Sequence, residues 1–222
     1  MTLLIGLFSV STSFAASQME SVQPLGIIEE EKRPAWRSFS DLRYGPITLQ
    51  SEVLNSVFTA SNNQILLAET GGAFYDILGI SVGAGLIREK GFLLGTDGTT
   101  STQEDTLSVI PLQANGLLRL DFFNEQVLVP FATAGVDYWI WQEKWTNGDL
   151  AEQTSGGKMG YHYSFGGQIL LDRFDESSAS LLEVTRGVQD TYLSVEYRVQ
   201  EFDTEGLSFD SDSITVGIRF QY

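Results

Sequence analysis

The chain has 222 residues, of which 42% are hydrophobic and 12% aromatic, with 22 glycines, 5 prolines and a formal net charge of −16. No internal run approaches the ~20 apolar residues of a membrane helix, and without cysteine there is neither a disulfide framework nor a thiolate metal site. So acidic a chain also lacks the broad basic surface that nucleic-acid phosphates require.

Residues 1–16 read as a signal peptide. Leu3 to Val10 form a short apolar core, and Ser13 and Ala15 place an A-x-A-like cleavage site after Ala15 or Ala16, although no Lys or Arg precedes the core. Residues 17–35 are polar, carry the run Glu29-Glu30-Glu31-Lys32-Arg33 before Pro34, and read as a periplasmic N-terminal segment. Residues 36–222 form the main domain.

A first strand is expected over Trp36 to Ile47, with a loop from Thr48 to Asn63. In the second, Leu66, Ala68, Gly72 and Phe74 alternate with Glu69, Gly71, Ala73 and Tyr75, and a tight turn at Asp76 to Gly79 leads to the third. There Ile80, Val82, Ala84 and Leu86 alternate with Ser81, Gly83 and Gly85. Arg88 to Asp105 reads as an exposed loop. The fourth strand sets Ile110, Leu112, Ala114, Gly116, Leu118, Leu120 and Phe122 against Gln113, Asn115, Leu117, Arg119 and Asp121. The fifth sets Ala132, Ala134, Val136, Tyr138 and Ile140 against Thr133, Gly135 and Asp137, and ends in Trp139, Trp141 and Trp145.

Thr146 to Lys158 reads as another loop. The sixth strand, Gly160 to Phe174, carries Tyr161, Tyr163 and Phe165 opposite His162, Ser164, Gln168 and Asp172, with an irregularity expected at Gly166-Gly167. Asp175 to Thr185 loses the period of two and reads as a short helical turn. In the seventh strand Leu193, Val195, Tyr197 and Val199 alternate with Ser194, Glu196, Arg198 and Gln200. The eighth, Ser213 to Tyr222, sets Ile214, Val216, Ile218, Phe220 and Tyr222 against Thr215, Gly217, Arg219 and Gln221.

Eight strands, short turns on one side and mostly longer loops on the other, predict an all-β, eight-stranded antiparallel up-and-down transmembrane β-barrel. Closure would leave no backbone edge unpaired in hydrocarbon. The Trp residues ending strand five and Tyr161/Tyr163 are expected in an outer aromatic girdle, Phe220 and Tyr222 in an inner one. The competitor is a soluble barrel or sandwich with an apolar interior.

The aromatic-ended last strand resembles the terminal assembly signal of bacterial outer-membrane barrels, which implies the barrel assembly machinery as a partner. The stretches Val129-Pro130-Phe131-Ala132-Thr133-Ala134-Gly135, Gly157-Lys158-Met159-Gly160-Tyr161-His162 and Thr191-Tyr192-Leu193 resemble small outer-membrane barrels of a deltaproteobacterial type. That resemblance implies an eight-stranded architecture of the OmpA-like and OmpW-like kind, an outer-membrane location and no assigned activity.

The inward polar set is Glu69, Arg119, Asp121, Asp137, His162, Glu196, Arg198 and Arg219. An eight-stranded barrel is just wide enough for side chains to fill, and buried charges must pair. A plugged lumen is therefore expected, with an envelope-structural or loop-mediated role. A small passive channel for ions or small solutes is the alternative. His162 and Ser164 resemble the His-x-Ser pair of an outer-membrane lipid A deacylase, where His activates the hydroxyl. Here they face the lumen, and Asp137 and Glu196 are candidates for the third carboxylate only by being inward, so a lipid-modifying enzyme is the last alternative, no catalytic site is expected and the protein is read as a non-enzyme.

Three loops read as acidic: Glu89, Asp97, Glu104 and Asp105; Glu143, Asp149 and Glu152; and Glu201, Asp203 and Glu205. No EF-hand spacing appears, and neither metal nor cofactor is expected. The partners expected are outer-membrane lipids and lipopolysaccharide, with the protein itself monomeric.

Overall fold

A computed structural model describes residues 35–51, 63–94, 100–123, 126–147, 150–202 and 208–222. The expected signal peptide and nearly all of the expected periplasmic segment lie outside the described residues. Eight strands run in order: β1 (Trp36–Leu49), β2 (Gln64–Phe74), β3 (Leu78–Leu94), β4 (Thr100–Arg119), β5 (Leu128–Asn147), β6 (Leu150–Leu170), β7 (Asp190–Phe202) and β8 (Ser211–Gln221). A helix, α1 (Glu176–Arg186), joins β6 to β7. Each strand pairs antiparallel with the next, and β8 pairs with β1. The expected up-and-down barrel is therefore closed.

Which way the faces point separates a membrane barrel from a soluble one. Leu42, Tyr44, Leu66, Leu78, Ile80, Val82, Ile110, Leu118, Val136, Tyr163, Phe165, Ile214, Val216 and Ile218 all lie on the exposed outer wall. Alternating with them, Arg43, Glu69, Arg119, Glu196, Arg198 and Arg219 are buried inside. A soluble barrel reverses this arrangement, and so large a continuous apolar exterior has no place in water. The exterior is a lipid-facing belt, and the chain is an integral membrane β-barrel of the outer-membrane type. No helix among the described residues is long and apolar enough to cross a membrane; the strands do so.

Two of the expected loops are strand. β3 runs on to Leu94 and β4 begins at Thr100, while β5 and β6 pair from Leu128↔Ile169 to Asn147↔Leu150. The period of two persists in Arg88-Glu89-Lys90 and in Asp105-Thr106-Leu107, but with polar residues on the outward face. Backbone pairing does not require apolar side chains, so an apolar pattern ends where the lipid ends and the ladder continues. Glu89 and Asp105, expected in an acidic external loop, are instead fully buried and point inward.

Other differences are local. β6 stops at Leu170, before the expected Phe174, and keeps its register through Gly166↔Phe131 and Gly167↔Pro130. The irregularity lies instead on β3, between Phe92 and Leu94. Tyr75, expected inward, is exposed in the β2–β3 turn, where it and Asp76 adopt positive φ of 49° and 59°.

α1 has clear ends. The Asp175 side chain accepts hydrogen bonds from the Ser178 amide and from the Ser177 and Ser178 hydroxyls, satisfying donors that helix geometry leaves unpaired. Gly187 ends it at φ 70°, with its N–H donating to Glu183 O.

The hydroxyls and amide that Asp175 accepts hold its carboxyl down to about 2. A carboxylate lowered by folding lends stability above its unfolded value and loses it as pH falls through the folded one. Protection of the Ser178 amide against hydrogen exchange should therefore fall as pH drops from 4 toward about 2, and Asp175→Asn should flatten that dependence. On the belt, Val136→Arg should cost about 2–4 kcal/mol in reversible unfolding from lipid vesicles, whereas Gln142→Arg, beyond the apolar rows, should cost little.

Candidate functional site

The lumen holds the polar chemistry of this chain, because inward positions alternate with lipid-facing ones on every strand. At its centre five side chains close a ring. Arg43 of β1 donates through Nη1 to Glu196 of β7 and through Nη2 to Glu69 of β2. Gln113 of β4 donates from Nε2 to Glu69 Oε2 at 3.4 Å, and its own Oε1 accepts from Arg198 Nη1. Arg198 Nε then returns to Glu196 Oε1 at 2.7 Å. The ring takes members from β1, β2, β4 and β7, so it spans the lumen. Ser81 of β3 adds a 2.5 Å bond to Glu69 Oε1, and Asn115 donates to Ser81 Oγ at 3.1 Å.

Room for it comes from residues without side chains. A Cβ on Gly217 would strike Arg43 Cγ and Leu42 O, so the inward glycine of β8 is where the Arg43 stem passes.

Toward the turn end lies a second cluster. Arg219 Nε donates to Asp41 Oδ2 at 3.0 Å, and its guanidinium sits over the Phe39 ring at 4.1 Å from the centroid. Arg119 donates to Gln221 Oε1 at 3.1 Å and to Asp121 Oδ2 at 3.4 Å, with the Tyr192 ring 5.1 Å beneath it. Arg37 donates to Asp190 at 2.5 Å and to Asp76 at 3.4 Å, and Gln221 donates to Asp76 Oδ1. These bonds tie β1, β4, β7 and β8 to the β2–β3 turn.

At the hairpin end the filling is apolar. Ile47, Leu49, Ile65, Leu67, Ile87, Leu107, Val109, Trp139, Phe202 and Phe209 form one buried cluster. The Trp139 ring meets Phe202 and Phe209 at 4.6 and 5.7 Å between centroids. Trp139 was expected in the outer girdle; its odd position on β5 turns it inward, and Tyr138, Tyr161 and Tyr163 take the lipid side.

All eight residues expected in the lumen lie inside it, though not as one network. Glu69, Glu196 and Arg198 belong to the central ring, Arg119, Asp121 and Arg219 to the turn-end cluster. Asp137 and His162 form a separate pair, with Asp137 Oδ2 2.7 Å from His162 Nδ1. Ser164 bonds instead to Thr133 Oγ1 at 2.5 Å. His162 and its carboxylate thus stand apart from the hydroxyl that a nucleophilic relay would need. Arg37, Asp41, Arg43, Asp76 and Asp190 are the charged members that sequence reasoning missed; the Asp41/Arg43 alternation within β1 was the available signal. Asp172, expected inward on β6, instead caps the Thr191 amide in the connection after that strand, at 3.2 Å from Oδ1. No group of three or more metal-ligating acids or histidines is found among the described residues.

No protein-family model and no curated protein sequence matches the chain. Solved structures do. Ail, the attachment invasion locus protein of Yersinia pestis, solved with the heparin analogue sucrose octasulfate, is 10% identical, with a TM-score of 0.52 over 85% of this chain and all of its own. A major outer membrane protein from Thermus thermophilus is 13% identical at a TM-score of 0.49, covering 85% of this chain and all of that one. The N-terminal β-barrel domain of Pseudomonas aeruginosa OprF is 10% identical at 0.43, over 83% of this chain and 97% of its own. The likeness to Ail matches the expected barrel in fold alone and does not reach a deltaproteobacterial grouping.

Removing one partner of a buried ion pair strands the other, at about 3–5 kcal/mol. Arg43→Met should destabilise the barrel by that order in urea unfolding from lipid vesicles. The double variant Arg43→Met/Glu69→Gln, which removes one cation and one anion and leaves Glu196 paired with Arg198, should regain much of the loss. If both variants unfold together, the ring does not carry that energy.

Proposed function

We propose that the protein is an integral barrel of the bacterial outer membrane whose lumen is closed, and whose role is structural or interactive, exercised through the hairpin end. The observation that carries this is the Arg43–Glu69–Gln113–Arg198–Glu196 ring, which crosses the lumen with every member almost fully buried. An eight-stranded barrel has little space beyond its own side chains. The apolar cluster around Trp139 adds a second obstruction, one that does not attract ions.

The long β3–β4 and β5–β6 hairpins outrun the lipid belt. They are the external end in this reading, with Tyr222, α1 and the short turns facing the periplasm. Partners are the surrounding membrane lipids, including lipopolysaccharide, and the assembly machinery that reads the β8 terminus. A non-catalytic role is supported by the separation of Ser164, held by Thr133, from the Asp137–His162 pair.

Single-channel recording of the refolded chain in a planar bilayer tests the closed lumen. Folding is checked first by the heat-dependent gel shift. A silent membrane is expected. Steady conductance that Arg198→Ala alters would move the function into the lumen and establish the small-solute channel instead.

A further inference from the structure

The hairpin end alternates charge by direction. On β3, Glu89 is buried and inward while Arg88 and Lys90 on either side are exposed and outward; on β5, Lys144 is exposed and outward beside the half-buried Glu143. Register places these cations together. Lys90 pairs with Thr106, which pairs with Lys144, and Arg88 pairs with Ser108, which pairs with Gln142. Two adjacent outward rows across β3, β4 and β5 therefore carry three cations, two hydroxyls and an amide, with no carboxylate in either row.

Neighbouring strands lie ~4.8 Å apart and residues two along a strand ~6.6 Å. Lys90 and Lys144 thus stand roughly 10 Å apart at the backbone, with Arg88 one row nearer the lipid belt. That spacing suits more than one phosphate of a single ligand, reached by long flexible side chains. The rows sit immediately beyond Leu86, Ile110 and Ile140, where the continuous apolar exterior of these strands ends, with Phe92 a single exposed apolar residue further along β3. This is where hydrocarbon gives way to headgroups. Among the described residues none of the three has an ion-pair partner, and they stand out on a chain with a net charge of −16. Two acids of these strands, Glu89 and Asp105, are turned into the barrel.

We infer that Arg88, Lys90 and Lys144, with Thr106, Ser108 and Gln142, form a membrane-facing site for the phosphorylated headgroup of an outer-leaflet glycolipid. The acyl chains lie down the apolar wall beneath, and the phosphates meet the two rows. This site rests on the outer-membrane reading above, with the hairpin end external.

Native mass spectrometry of the refolded full chain in mild detergent tests it, titrated with bisphosphorylated lipid A, with its dephosphorylated form and with phosphatidylglycerol. The test variant is Arg88→Gln/Lys90→Gln/Lys144→Gln, and the control is Arg173→Gln/Arg186→Gln at the opposite end. Both are first shown to be folded by the heat-dependent gel shift. Wild type and control should bind bisphosphorylated lipid A in preference to the other two lipids, and more weakly as salt rises. The test variant should bind it at least about tenfold more weakly, since each surface cation lends several-fold attraction to an anionic headgroup. Selective binding left intact in the test variant would overturn this site alone. A wild type that does not prefer bisphosphorylated lipid A would overturn the site together with the lipopolysaccharide partnership on which it rests.

Discussion

An eight-stranded barrel has an inside too small for bulk water, and the rest of this structure depends on that constraint. Lipid fixes the outward residues as apolar, so alternation leaves the polar and charged residues facing a lumen that cannot solvate them. Each must find a partner across the interior. Arg43 satisfies carboxylates on β2 and β7 at once, and Gln113 closes the circuit between Glu69 and Arg198 by accepting with one end and donating with the other. Above this ring the filling changes character and Trp139 with Phe202 and Phe209 packs the bore. The polar ring lies at the level of the lipid belt, and the apolar cluster starts within the belt's last rows, where outward Tyr138 and Ile140 flank Trp139, with Glu89 and Asp105 also buried toward the hairpin end.

Much of this was legible in the sequence because a period of two is unambiguous wherever one face must be greasy. The outward sets of β4 and β8 are as expected, residue by residue, and all eight charged or polar residues assigned to the lumen lie there. What escaped did so where the apolar signal fades. Arg88-Glu89-Lys90 alternates like any strand, but with charge on both faces it reads as loop, and so the inward burial of Glu89 and the outward cations were obscured together. Trp139 was misplaced because an aromatic near a strand end fits a girdle as readily as a core, and only the parity of β5 distinguishes them. Arg43 went unnoticed although Asp41 and Arg43 share a face; nothing local reveals that an arginine will bridge strands distant in sequence.

The pair His162 and Ser164 shows the limit of motif reading on a strand. Residues two apart share a face, yet neighbours on adjacent strands are closer still, and these decide the bonding. Ser164 lies opposite Thr133 in register and bonds to it, while His162 turns to Asp137. Spacing along the chain put the two in one place, and pairing between strands of the sheet gave each a different companion.

The ring has a consequence for how the barrel comes to be. One of its arginines enters with the first strand, and the other arrives only with the seventh, together with Glu196, so no run of early hairpins can complete it. A sheet inserted with the β1–β8 seam still open would hold the Arg43–Glu69 and Glu196–Arg198 pairs apart, with Arg43 lacking its second carboxylate. Seam closure and completion of the ring are therefore a single event, and an open sheet within the membrane is a costly waypoint. The same contacts that cross the finished lumen couple assembly from the first strand to the last.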